Sequence, residues 1–234
     1  MSKSLIYAVH GFMGQSADWD QVKINLPTNF LFQPIDLFKK SSPKIEPFEN
    51  YSINPSAAER KIFVGYSLGG RFGLHLLAKH PEVFDHYVFL STNPGMDDQD
   101  EAQRRSRYEV DELWSQQISE DNWFNFCQRW NAQSVFDRSV QPEPVRKLQD
   151  FDLNKLKESL TVWSLAKQNN MNNVIQMNQS KITWVVGSED SKYCKIAEDL
   201  KQKKILLDYK RIFSGHRILF DNSKAVAELL LNLN

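Results

Sequence analysis

One stretch constrains the fold more than any other. Lys61-Ile62-Phe63-Val64-Gly65 runs without a break into Tyr66-Ser67-Leu68-Gly69-Gly70, and a helical pattern follows over residues 71–79. The first five residues form a compact apolar run of the kind that makes a buried strand. Phe72, Leu76 and Leu77 then recur at helical spacing until His80-Pro81 stops the pattern. A strand that passes into a helix over so few residues must turn very sharply. Glycine on each side of Ser67 suits such a turn, because a Cβ there would collide with neighbouring backbone.

Other apolar runs share that strand character. They are Leu5-Ile6-Tyr7-Ala8-Val9, Phe30-Leu31-Phe32-Gln33-Pro34-Ile35, Tyr87-Val88-Phe89-Leu90 and Ile182-Thr183-Trp184-Val185-Val186, with Lys210-Arg211-Ile212-Phe213 a weaker one. Strands this continuously apolar need cover on both faces, as in a parallel sheet. Helical patterns at 191–201 and 223–231 alternate with them, which predicts an α/β fold. Residues 38–59, rich in Pro, Ser, Asn and Lys, read as loop. From 96 to 178 the strand signal vanishes, and polar helical patterns carry Trp114, Trp123, Trp130 and Trp163. The expected plan is a core made of 1–95 and 179–234, with a helical cap of 96–178 inserted into it.

Length and charge narrow the function classes. A chain of 234 residues fits one large domain with an insertion. Lys+Arg and Asp+Glu are 29 each, so the broad basic footprint of a nucleic-acid or anionic-membrane binder is missing. A small-molecule partner is expected, with no nucleic acid and no membrane, for a monomer or small homo-oligomer. Cys127 and Cys194 are too few for a disulfide framework and lack metal-ligand spacing. Reduced thiols, a cytoplasmic location and no metal site follow as expectations. Met1-Ser2-Lys3-Ser4 leads straight into the first apolar run, and no apolar run approaches the ~18 residues of a membrane span.

The chemistry centres on Ser67. Its strand-turn-helix context is that of a nucleophile elbow, which holds a hydroxyl at the carboxyl edge of the sheet. The Leu68 N–H, at the helix N-terminus, points to the same place. The plain alternative is a glycine-rich turn without catalysis. A serine hydroxyl needs a histidine to take its proton. Among the five histidines, His10 follows the first strand, where the Phe12 N–H suits a second oxyanion donor better than His10 suits a base. His75 lies inside a helix, His80 at a helix end, and His86 at a strand start. His216, in Ser214-Gly215-His216, lies past the last strand at the sheet's carboxyl edge, and the chain order serine, acid, histidine favours it. Asp190, in Gly187-Ser188-Glu189-Asp190, is the preferred orienting acid, with Glu189 next and Asp221 weaker. Asp190 also suits a helix N-cap, a role compatible with the first.

Taken in order, further pieces carry a resemblance: His10-Gly11-Phe12, Gly65 to Arg71, Asn93-Pro94-Gly95-Met96, Arg104-x-x-Arg107-x-x-x-Asp111, Trp123-Phe124, Trp130, Val135-Phe136, Ser164-Leu165-Ala166, Gly187-x-x-Asp190-Ser191-Lys192 and Ser214-Gly215-His216. The whole chain resembles the α/β-hydrolase superfamily. Within it, the chain is similar to the 2-succinyl-6-hydroxy-2,4-cyclohexadiene-1-carboxylate synthases of menaquinone biosynthesis. The elbow alone specifies the superfamily; Arg71 after the double glycine and the insertion pattern favour the synthases.

The resemblance implies an α/β-hydrolase fold, with a mostly parallel sheet, helices on both faces and an inserted helical cap. It implies a cofactor-free lyase whose serine acts as a base and which eliminates pyruvate from a carboxylated cyclohexene. A substrate with several carboxylates calls for arginine forks in the pocket. Tyr66, Arg71, Arg107 and Trp130 match substrate-contacting positions. Each has a plainer reading beside it: Arg71 as a surface helix residue, Arg107 as an (i, i+4) ion pair with Asp111, and Trp130 as packing within the cap. A carboxylesterase or thioesterase that acylates Ser67 is the alternative enzyme, and a non-catalytic binding protein is a third reading. The chain departs from the family after Asp36-Leu37, where Phe38-Lys39-Lys40-Ser41-Ser42-Pro43 replaces a glycine- and histidine-containing run. It also has Asn131 in place of a tyrosine, and it lacks a cap arginine near 148–152.

Overall fold

A computed structural model describes residues 4–233 except 54, 56, 57, 59 and 143. The expected start at Met1-Ser2-Lys3 and part of the expected loop at 54–59 lie outside the described residues. Six strands, β1 (Ser4–Val9), β2 (Phe30–Ile35), β3 (Arg60–Tyr66), β4 (His86–Leu90), β5 (Ile182–Gly187) and β6 (Tyr209–Ile212), form one sheet in the order β2-β1-β3-β4-β5-β6. Every pairing is parallel. The helices are α1 (Asp20–Ile24), α2 (Leu68–Lys79), α3 (Glu101–Gln116), α4 (Trp123–Asn131), α5 (Leu153–Val162), α6 (Asn172–Met177), α7 (Ser191–Gln202), α8 (Ile218–Asp221) and α9 (Ser223–Leu231).

The period of two along each strand splits the core into two layers. Tyr7, Val9, Phe63, Phe89 and Trp184 face Leu68, Phe72 and Leu76 of α2 and Ala197 and Leu200 of α7. Ile6, Ala8, Ile62, Val64, Val88 and Val185 face Val22 of α1, the α8 turn, and Val226, Leu229 and Leu230 of α9. β2 lies on one edge and alternates half-buried and exposed residues over its first four positions. Pro34, which has no N–H for the ladder, is tolerated there. β6 lies on the other edge and ends at Ile212, leaving Phe213 exposed; this shortens the expected run by one residue at its end. α2 begins at Leu68, three residues before the apolar pattern starts, because the Gly-Gly turn is already helical.

Between β4 and β5 the described residues contain helices α3 to α6 and short 3-10 turns. Their apolar side, with Trp123, Phe126, Phe151, Leu156 and Trp163, merges with the α2/α7 layer. Hydrogen bonds tie this segment to the core. Asp152 N–H donates to the Phe38 carbonyl at 2.7 Å, and Met171 N–H to the Pro94 carbonyl at 2.8 Å. Arg146 and Asp18, both nearly buried, pair through two bonds of 2.7 and 2.9 Å. Lys155 Nζ donates to the carbonyls of Lys39, Lys40 and Ser42. That grip organises the loop whose sequence departs after Asp36. Among the described residues no helix is long and apolar enough to cross a membrane.

Candidate active site

β1 and β3 are neighbours, with Val9 opposite Gly65, while β2 leaves β1 on the other side. The order of connections therefore reverses at this point of the sheet, and in open parallel sheets ligands bind beyond the carboxyl ends of the strands at such a reversal. The turn after β3 delivers Ser67 there. Its φ of 51° and ψ of −108° lie where side chains are strained. The two flanking glycines make the turn possible. A Cβ on Gly65 would stand 2.4 Å from the Gly69 carbonyl oxygen, and one on Gly69 2.1 Å from that of Val9.

The loops after β5 and β6 are laced together. Ser188 N–H donates to the Ile212 carbonyl at 2.8 Å and Glu189 N–H to that of Ser214 at 3.0 Å. This lacing brings Asp190 and His216 to the same spot, each only 4% exposed. His216 Nδ1 lies 2.7 Å from Asp190 Oδ2, and Nε2 lies 3.2 Å from Ser67 Oγ. With the proton on Nδ1, the imidazole donates to the carboxylate and accepts from the hydroxyl. The other oxygen of Asp190 accepts the Tyr193 N–H at the start of α7, so one side chain serves as both N-cap and imidazole partner. Tyr193, Tyr66 and Phe136 hold the His216 ring between theirs, with centroids 4.6, 5.6 and 5.7 Å away. Burial first, and then the Asp190 carboxylate, push the Tyr193 phenol upward, and burial does the same for Tyr66. Both stay protonated.

The competing residues are engaged elsewhere. Glu189 is exposed. Asp221 accepts the Gly215 N–H through one oxygen and those of Val140 and Gln141 through the other. His10 is fully buried, donating to the Gly11 carbonyl and accepting the Leu37 N–H. Burial keeps its pKa low. His10 thus braces the loop that carries Phe12. Phe12 and Leu68 both line the cavity at Ser67. Neither of their N–H groups donates to another group among the described residues.

That cavity is a chamber of about 140 Å³, walled by Ser67, Arg71, Arg107, Trp130, Trp163 and His216 among others. Arg71 reaches in from α2 and is anchored through one nitrogen to the Trp163 carbonyl (2.8 Å) and Gln168 Oε1 (3.1 Å). Burial, and then Arg107, pull its pKa down to about 10, so it remains cationic at neutral pH. Arg107 does form the (i, i+4) pair with Asp111, using Nε and a terminal nitrogen at 2.9 Å each. Asp111, however, is buried and also accepts from Ser164 Oγ at 2.8 Å, so the pair is anchored in the chamber wall, with Arg107 also reaching the outer groove. Trp130 packs on Phe12, with a centroid distance of 4.5 Å, and on Trp114 at 5.2 Å. It belongs at once to the helical packing and to the chamber. Tyr66 is absent from this wall. It lines a smaller cavity on another side of Ser67, together with Trp130, Asn131, Arg146 and Arg217.

Three neighbours went unassigned in the sequence reading: Tyr193 and Lys192 on the chamber wall, and Arg217, whose guanidinium lies 4.2 Å over the Phe136 ring and donates to Asn131. The signal for the first two was their place in the first turn after Asp190, on a helix that starts at the sheet's carboxyl edge. Arg217 carried the simpler signal of following His216 directly.

Comparisons with known proteins agree with this architecture. A family model described as alpha/beta hydrolase fold matches residues 5–219. A 2-succinyl-6-hydroxy-2,4-cyclohexadiene-1-carboxylate synthase of Enterobacter sp. (strain 638) is 25% identical over 237 aligned positions, covering 96% of this chain and 89% of that one. The synthase of the same name from Klebsiella pneumoniae is 23% identical, covering 96% and 91%. Among solved structures, MenH from S. aureus superposes with a TM-score of 0.78 at 17% identity, covering 99% of this chain and 93% of that one. A thioesterase domain from the curacin biosynthetic pathway reaches 0.62 at 16% identity, covering 98% and 92%. With its parallel sheet, the strained serine turn after β3 and a family match across most of its length, the chain belongs to the α/β-hydrolase fold family.

Proposed function

We propose that the protein is a lyase that eliminates pyruvate from a carboxylated cyclohexene intermediate of menaquinone biosynthesis. The observation that carries this reading is a hydrogen-bonded Ser67–His216–Asp190 line opening into a chamber that also holds Arg71 and Arg107. The names of the synthase relatives support it. Ser67 Oγ takes the proton of a carbon acid while its own proton passes to His216 Nε2. Asp190 holds the imidazole in orientation and stabilises the imidazolium. Negative charge that builds on the substrate as the C–H bond breaks is met by the Phe12 and Leu68 N–H groups. The carbon–oxygen bond to the leaving group then breaks as the double bond forms in the ring, and the departing enolate takes up the proton held by the His216 imidazolium and leaves as pyruvate. Arg71 and Arg107 hold carboxylates, Trp130 gives the ring an apolar wall, and Tyr66 borders Ser67 from the second cavity. No step calls for a cofactor.

In this reading residues 96–178 act as a cap, because they supply Arg107, Trp130 and Trp163 to the chamber. Pyruvate release from the pathway intermediate, followed by a coupled reductase, is the test. The expected result is turnover by the native chain and its loss in Ser67→Ala. A serine ester hydrolase is the second reading, since the same line of three residues would acylate Ser67 equally well. A burst with p-nitrophenyl butyrate and a stable Ser67 adduct, without pyruvate release, would decide for it.

A further inference from the structure

The charges on the chamber wall do not balance within the protein. Arg71, Arg107 and Lys192 all line it, and Asp111 is the carboxylate that shares the wall with them. Arg107 and Asp111 answer each other in a two-bond pair that Ser164 completes. With that pair set aside, one cation from α2 and one from α7 remain. Arg71 has two neutral oxygens as partners, from Trp163 and Gln168. Lys192 forms neither an ion pair nor a hydrogen bond among the described residues; its ammonium lies 5.8 Å over the Tyr193 ring. The nearest acid in sequence, Asp190, is already held by His216 and the Tyr193 N–H. Lys192 also borders a large outer groove of about 1170 Å³, which it shares with Arg107, Asn93 and Leu165. It therefore stands where the groove meets the chamber. Burial, and then Arg107, lower its pKa, while Asp190 and Asp111 work in the opposite direction. Lys192 is nonetheless an exposed residue on the groove side, so its ammonium keeps water there and, with no counter-charge among the described residues, is free to meet an anion that enters the chamber.

We propose that Lys192 is a specificity residue: it holds a second carboxylate of a small substrate whose first carboxylate rests on Arg71, and so favours dianions over monoanions at Ser67. The proposal rests on the reading of the chamber as the active site and deepens it. Lys192 lies on the first turn of the helix that Asp190 caps, so the second carboxylate is located by the same element that orients His216.

Protection of Ser67 against a fluorophosphonate label tests this in the full chain. Succinate and butyrate, nearly equal in size, serve as the dianionic and monoanionic protectors, and each variant is referred to its own unprotected rate. Native protein is expected to be half-protected by succinate at a concentration roughly tenfold below that for butyrate, the scale of one added charge-assisted contact. Lys192→Ala and the near-isosteric Lys192→Gln should bring the two protectors within about twofold, and Lys192→Arg should restore most of the difference. Labelling of native Ser67 with an unchanged succinate preference in both neutral variants overturns the Lys192 assignment alone. Failure of native Ser67 to label at all overturns the active-site reading, and this proposal with it.

Discussion

Asp190 divides its carboxylate between His216 and the helix that it starts: Oδ2 meets His216 Nδ1 at 2.7 Å while Oδ1 accepts the Tyr193 N–H at 3.3 Å. The orientation of the imidazole and the first turn of α7 thus depend on one side chain, and the two functions separate by substitution.

Asp190→Asn keeps a good cap but removes the charge opposite the imidazole. Turnover should fall about 10³- to 10⁴-fold, with little change in melting temperature. Asp190→Ala should lose the same activity and also about 1 kcal/mol of stability. Kinetics and thermal melts of the two variants check this; equal melting temperatures would rule out the capping role.

The backbone at Ser67, with φ at 51°, should yield stability when the Cβ is removed. Ser67→Gly and Ser67→Ala both lose the bond to His216, so their difference isolates the backbone. The glycine variant should be more stable by about 1–3 kcal/mol, or several degrees in melting temperature for a chain of this size. Calorimetry on the pair reads it directly, and an alanine variant as stable as the glycine one would show an unstrained turn.

Arg71→Lys keeps the charge but loses the planar guanidinium, one nitrogen of which is held by the Trp163 carbonyl and Gln168 Oε1. A point charge on a flexible stem places a carboxylate less well. KM for the carboxylated substrate should rise about tenfold or more, with a smaller change in kcat. A KM near the native value would move the carboxylate contact away from Arg71.

How much of this was legible beforehand follows from the distance over which each signal acts. β1, β3, β4 and β5 are written in consecutive Val, Ile, Phe and Tyr residues, because strands covered on both faces have no polar side to show. The serine turn is written in five residues for the same reason: Gly65 and Gly69 are required by contacts with backbone close by. α1 is a single short turn, too brief for a helical period to register. The grip of Lys155 on the carbonyls of the loop after Asp36 joins residues 116 and 115 positions apart, and the Arg146–Asp18 pair joins residues 128 apart. Nothing in local spacing announces such partners. Trp130 shows a further limit, since a tryptophan at helical spacing reads as packing and here also walls the chamber.

Stability should decline as the medium is acidified. Burial, aided by Arg71 for His75 and by Arg60 and Lys210 for His86, pulls both imidazoles from 6.5 down to about 4. Between those values the unfolded chain binds protons that the folded one does not, so folding free energy is lost as pH falls through that window. His10, held low by burial, has the same sign. Melting temperature measured from pH 7 to pH 4 should drop, and less steeply in a His75→Phe, His86→Gln double variant. Parallel profiles would remove these two groups from the account.

The Arg146–Asp18 pair, with side chains 9% and 8% exposed, should be costly to break from one side. Asp18→Asn leaves a buried guanidinium without its counter-charge, and a loss of about 3–5 kcal/mol is expected in urea unfolding. Asp18→Leu combined with Arg146→Met should recover most of it. Near-native stability in the single variant would place the pair in effective contact with water.

The stitches between the helical segment and the sheet bear on traffic. Lifting that segment as a hinged flap would break the Arg146–Asp18 pair, strip Lys155 from its carbonyls and free the Val140 and Gln141 amides from Asp221. A molecule on its way to Ser67 from the outer groove meets a far smaller obstacle at Lys192, whose long side chain, exposed and without an ion pair or hydrogen bond among the described residues, need only swing aside. The stitches thus leave a fixed vestibule that opens toward a groove bordered by Arg107, Lys192 and Lys203 and equally by Asp97, Asp98 and Asp199.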